Sequence, residues 1–267
     1  VFVSKKGAVL FPLICLCFFL SLFLGACGST GTAASSGVIN VVAAENFYGD
    51  VVKQLGGSHV SVTSILSDPN IDPHEYESNN ATAQVVSRAQ LVIENGLEYD
   101  SWMEKLLSAS PNPNRVVLTA GNIADHKLPD NPHIWYGINN MPTIATAITN
   151  KLKKLDSADA STFDRNLTTF TTSLQPLLQK ITDLKAKYTG TPVGLTETIF
   201  LYQTTPIGLN VLTTITSITA KMHDDAKNAT IPIVSVWETM PVGKTYQSWM
   251  QGQLDDLGQA LATATGK

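Results

Sequence analysis

Beyond residue 37 the chain alternates short apolar runs with helix-length amphipathic segments. Val38 to Ala44 predicts a buried strand, and Asn46 to Leu55 a helix opened by a capping-type asparagine and closed by Gly56-Gly57. Val60 to Leu66, Gln90 to Glu94 and Arg115 to Thr119 predict three more strands. Between them lie a polar-capped helix around Asn79 to Ala89 and a helix containing Trp102, Met103, Leu106 and Leu107. Such β-α alternation implies an α/β protein whose parallel sheet is covered on both faces.

From Met141 to about Tyr188 the period becomes helical. Ile144, Ile148, Leu152 and Leu155 define one apolar face, and Phe163, Leu167, Phe170 and Leu174 repeat it. The second stretch reads as a spine joining two lobes, kinked or broken at Pro176. Past Gly190 alternation resumes, with strands expected at Val193 to Thr196 and Ile231 to Trp237, and a weaker one at Gly208 to Leu212. Helices are expected around Ile218 to Lys227 and from Lys244 to about Ala262. This second sheet is thin for an α/β layer. The expected fold is two parallel-sheet lobes joined by a long helix, with a shortened C-terminal lobe. The divisions are 38–155 for the N-terminal lobe, 156–189 for the linking helix and 190–267 for the C-terminal lobe.

The first residues read differently. Lys5 and Lys6 precede an apolar stretch from Ala8 to Leu24, which ends in Gly25 and Ala26 before Cys27. This is the layout of a secretory signal, too short for a lasting membrane span. Leu24-Gly25-Ala26-Cys27 resembles the lipobox of bacterial lipoproteins, in which the cysteine becomes the lipidated first residue. Residues 1–26 are therefore expected as signal peptide and 27–37 as a flexible tether. Cys15 and Cys17 fall within the apolar stretch, so Cys27 would be the only retained thiol and no disulfide can hold the domain. The formal net charge of −4 gives no basic surface, which argues against nucleic acid and against electrostatic adhesion to anionic lipid. Membrane attachment would rest on the lipid at Cys27, at the outer face of the bacterial cytoplasmic membrane.

Two of the five histidines directly follow a proline, in Asp72-Pro73-His74 and Asn131-Pro132-His133. Each proline fixes its own φ and disfavours helix in the residue before it, so each histidine comes from a stiff, non-helical segment. Both segments follow strands, at the edge of a parallel sheet where ligands bind. Glu197, directly after Val193 to Thr196, holds the equivalent place in the second lobe. Singly, each histidine could be an ordinary core or surface residue, and Glu197 a carboxylate favoured by a helix N-terminus. Together, His74, His133 and Glu197 form a two-histidine, one-carboxylate set suited to Zn²⁺ or Mn²⁺, and the lack of thiols disfavours a closed structural zinc site. Gly243-Lys244-Thr245 is not a phosphate loop, because Glu238 stands where its first glycine should be.

Several segments carry a family resemblance: Val41-Val42-Ala43-Ala44-Glu45-Asn46-Phe47-Tyr48, Asp72-Pro73-His74-Glu75-Tyr76-Glu77, Asn131-Pro132-His133-Ile134-Trp135, Leu195-Thr196-Glu197 and Trp237-Glu238-Thr239-Met240-Pro241. With Tyr246-Gln247-Ser248-Trp249-Met250, they resemble the cluster A-I solute-binding lipoproteins of zinc and manganese ABC importers. The resemblance implies a monomeric, non-enzymatic receptor that passes its metal to an ABC permease with its ATPase. It also implies a metal held between two lobes by His74, His133 and Glu197, and small lobe movements about a rigid spine. Between Leu209-Asn210 and the helix around Ile218 to Lys227 the chain lacks a strand and helix usual in the family. The acid that supplies a fourth ligand near the start of that helix is absent from Thr213 to Thr219. His223, Asp224 and Asp225, further along, read as a solvated face. Three protein ligands and a water favour zinc over manganese. The alternative is a lipid-anchored zinc hydrolase, with Glu75 or Glu77 as general base beside a metal-bound water.

Overall fold

A computed structural model describes residues 37–267 except positions 70, 72, 74, 75 and 215–218. The expected signal peptide and Cys27 lie outside the described residues, as does His74. The described residues belong to one compact unit.

The first half is the β-α alternation expected. Strand β1 (Ile39–Glu45) leads into α1 (Asn46–Gly56), and a 3₁₀ turn (Gly57–His59) enters β2 (Val60–Leu66). Then follow α2 (Asn80–Arg88), β3 (Leu91–Glu94), α3 (Ser101–Ala109), β4 (Val116–Thr119) and the short α4 (Ala120–Ile123). The four strands form a parallel sheet in the order β2-β1-β3-β4. Central β1 is almost wholly apolar because helices cover both faces of the sheet. Successive side chains point to opposite faces, so Val41 and Ala43 join one core while Val42 and Ala44 join another with Leu66, Val86, Val92, Trp102 and Met103.

Helix α5 (Met141–Leu155) begins with Pro142 in its first turn, where the missing N–H is no loss. The spine is two helices, α6 (Ala160–Ser173) and α7 (Gln175–Tyr188), with the expected break at Leu174 and Pro176 in the first turn of α7. The second half then supplies β5 (Pro192–Leu195), a 3₁₀ turn (Thr198–Phe200), α8 (Leu201–Ile207), β6 (Asn210–Thr214), α9 (Thr219–Asn228) and α10 (Tyr246–Thr265). Strands β5 and β6 form a separate two-stranded parallel sheet. A reciprocal capping box between Thr245 and Ser248 starts α10.

Two local expectations fail. Ile231 to Trp237 alternates exposed and half-buried residues as a strand would, yet joins no sheet. Its backbone is instead held by side chains: Tyr136 Oη donates to the Trp237 carbonyl (2.7 Å), and Gln253 Nε2 to that of Ser235 (3.3 Å). Asn46 is not a cap. Glu45 occupies the N-cap position without a side-chain hydrogen bond, and the Asn46 amide is engaged elsewhere.

Candidate metal centre

His133 sits at the end of the loop that follows β4 and α4, on the carboxyl edge of the first sheet. Asn131 fixes it. The Asn131 Oδ1 accepts from the His133 backbone N–H (3.1 Å), and its Nδ2 donates to the Thr198 carbonyl (2.7 Å), so the orientation of the amide is set by a backbone donor and a backbone acceptor. The same Oδ1 lies 2.6 Å from His133 Nδ1. An amide oxygen only accepts, so Nδ1 carries a proton, and in the neutral ring Nε2 presents its lone pair. Asn95 Nδ2 donates to the Pro132 carbonyl (3.0 Å) and Tyr202 Oη to that of Asn131 (2.9 Å), which pins the tripeptide from both sides. Beyond it, Ile134, Trp135 and Tyr136 form a fully buried 3₁₀ turn, with Trp135 stacked on Phe47 at 4.5 Å.

Nε2 of His133 is buried without a hydrogen bond. It faces Glu238 Oε1 at 3.6 Å, while Glu238 Oε2 accepts from Tyr99 Oη at 3.0 Å. Glu238 is held from the first half of the chain: Tyr136 grips Trp237, and Asn46 clamps Met240 by donating from Nδ2 to its carbonyl (2.7 Å) and accepting from its N–H at Oδ1 (3.0 Å). An imidazole with one nitrogen engaged by a polar neighbour and the other bare beside a carboxylate is the arrangement metal-binding histidines need.

Glu197 is exposed, at the N-cap of the Thr198–Phe200 turn. Among the described residues no hydrogen bond or ion pair joins it to His133, but the next residue, Thr198, receives the Asn131 amide. On α9, Asp225 pairs with Lys221 and His223 with Asp224, all four exposed, as a solvated face would be. Of the hydrolase's candidate bases, Glu77 is exposed and Glu75 lies outside the described residues.

Glu238 is the acid that sequence reasoning missed. The usable signal was its position: it ends the apolar run Ile231 to Trp237 as Glu197 ends Val193 to Thr196.

Behind His133 lies a buried set of acids at the ends of β1 and β3. Asp100 accepts from the backbone N–H groups of Asn95 (2.6 Å) and Gly96 (2.8 Å), yet burial raises its carboxyl to about 7. Glu45, wholly buried, is pushed well up by desolvation first and then by the Asp100 and Glu94 charges. Burial and the charge of Glu238 push the Tyr99 hydroxyl up, so it remains a neutral donor to that carboxylate.

The fold has solved counterparts. The periplasmic zinc-binding protein TroA from Treponema pallidum superposes with a TM-score of 0.70 at 18% identity, over 84% of this chain and 99% of that one. The chain belongs to the family of zinc-uptake complex component A, periplasmic, whose profile matches residues 41–231. The metal ABC transporter substrate-binding lipoprotein ScbA of Streptococcus cristatus is 27% identical over 63% of this chain and 58% of its own length. The iron ABC transporter substrate-binding lipoprotein MtsA of Streptococcus pyogenes is 30% identical over 60% of this chain and 56% of its own. The matched segments thus span less than two thirds of these relatives.

Proposed function

We propose that the protein is the extracytoplasmic receptor of an ABC-type importer, capturing Zn²⁺ or Mn²⁺ and delivering it to a permease and its ATPase. The observation that carries this reading is His133, with Nδ1 engaged by Asn131 and a bare, buried Nε2 3.6 Å from Glu238. His74, from the β2-α2 connection, and Glu197, from the end of β5, complete the proposed ligand set. In this division residues 38–155 supply the two histidines, the helices within 156–189 form the spine, and 190–267 supplies the two acids. The receptor is a monomer, held at the membrane by a lipid on Cys27.

Adding Glu238 alters the metal argument. Two nitrogens and two carboxylates fill a zinc tetrahedron without water, and the same carboxylates binding through both oxygens serve the higher coordination of manganese. The relatives are named for different metals, iron for MtsA and manganese for ScaA of Streptococcus gordonii, and TroA for zinc. Zinc remains the first choice on the nitrogen content of the site.

Metal titration of the purified protein tests the reading. His133→Ala and Glu238→Gln should each weaken zinc binding by about 100-fold or more. Affinity should also fall as pH drops through the histidine range, since the ligands must be unprotonated. Unchanged affinity in both variants would remove the site.

A further inference from the structure

A second group of ligand-type side chains closes at the other end of the first sheet. His59 ends the 3₁₀ turn before β2, Asp156 follows the last turn of α5, and Asp159 is the N-cap of α6. His59 Nδ1 lies 3.5 Å from Asp156 Oδ2 and 3.2 Å from Asp159 Oδ2, and one ligand atom from each residue falls within 4.8 Å of the others. The Phe163 ring meets the imidazole edge to face at 5.5 Å and limits its rotation.

Asp156 is the unusual member. It is 4% exposed, and its Oδ1 is buried without any hydrogen-bond partner. One imidazole N–H cannot serve two carboxylates, and even a protonated His59 would leave the trio with a net negative charge. A buried carboxylate oxygen left bare is a destabilising arrangement that a cation would relieve.

We propose that His59, Asp156 and Asp159 form a second divalent-cation site, separate from the cargo site, with zinc as its reference ion. Ligands bound tetrahedrally to zinc at its usual bond lengths stand about 3.4 Å apart, between the two separations seen here. Nδ1 is the coordinating nitrogen. Asp159, with a side chain 31% exposed, opens the site to solvent and leaves room for water as a further ligand. Strand β2 has seven residues and rises about 20 Å from the His59 end to the carboxyl edge where His133 lies, so one ion cannot serve both places. Bound there, a cation ties the α1-β2 connection to the corner between α5 and α6.

The test uses the full chain carrying His133→Ala and Glu238→Gln, which silences the cargo site, and Zn²⁺ alone as the probe. Equilibrium dialysis should still find about one zinc per chain, and zinc should raise the melting temperature. Adding His59→Gln or Asp159→Asn should abolish both effects; these half-buried positions spare the buried Asp156, and circular dichroism checks that each variant folds. Co²⁺ in place of zinc should give a visible tetrahedral absorption that disappears with either substitution. Retained zinc in both variants, or no zinc bound by the silenced chain at millimolar concentration, would overturn the proposal. In the otherwise unaltered chain, His59→Gln should remove one zinc equivalent even if His133 and Glu238 prove irrelevant to cargo, which keeps the two readings separable.

Discussion

The two sheets of this protein are held to different standards. The first has four strands, apolar residues on both faces and an aromatic cluster of Phe47, Tyr99, Trp135 and Tyr136 behind His133. The second has two strands, Leu212 on β6 is 67% exposed, and the apolar run after α9 pairs with neither strand. Glu238, in the weaker half, is nevertheless fixed, because Tyr99, Tyr136 and Asn46 of the stronger half hold its segment. A side chain's precision is thus set by what grips it and not by the order of the element that carries it.

Substitutions in the two halves should separate them most sharply in stability. Phe47→Ala, at the stacked centre of the first core, should destabilise by about 3–5 kcal/mol in denaturant unfolding, while Leu212→Ala should stay within about 0.5 kcal/mol. Comparable losses would mean that the second sheet is packed as firmly as the first. Next in size is Asn46→Ala, which removes both bonds to Met240 and should cost about 1–3 kcal/mol. It should also raise the zinc dissociation constant at least about tenfold, as loss of an outer-shell support does. Undiminished affinity would show that Glu238 holds its place without the clamp.

The buried acids add a pH signature peculiar to the first half. Asp100, at about 7 when folded, and Glu45, also raised, favour the protonated native state. Their contribution is complete below the ordinary carboxylate range and is lost as pH rises through the folded values, so the melting temperature should fall as pH rises from about 4 through about 7, where Asp100 ionises. Glu45→Gln should flatten that slope and raise stability at pH 8 by about 1–3 kcal/mol. A slope unchanged by the substitution would assign it to other groups. Smallest of all, Asp225→Asn on exposed α9 should leave zinc affinity within about twofold and stability within about 0.5 kcal/mol.

What the sequence disclosed follows the same division. All four strands of the first sheet and the helices α1 to α3 were readable, because period and burial agree there, while the four-residue α4 is too short to show a period: the run of β1 is apolar since both faces are covered. The proline-histidine tripeptide at His133 was readable for its stiffness. Asn46 misled because an asparagine before a helix normally caps it, and only a long-range contact reveals the clamp. Ile231 to Trp237 misled because alternation records which side chains are covered, and says nothing of whether a neighbouring strand exists to complete the ladder. The place of Glu238 beside His133 was not legible because its partners, Tyr99 and His133, lie more than a hundred residues away.

The Asn131 amide has a consequence of its own. One planar group holds the proton of His133 and the carbonyl of Thr198, so the set of the imidazole and the seating of the β5 turn are two readings of a single equilibrium. By reciprocity, any ion that prefers the aligned ring tightens the seam between the halves, and any partner that pries the seam open weakens the hold on the ion by the same factor.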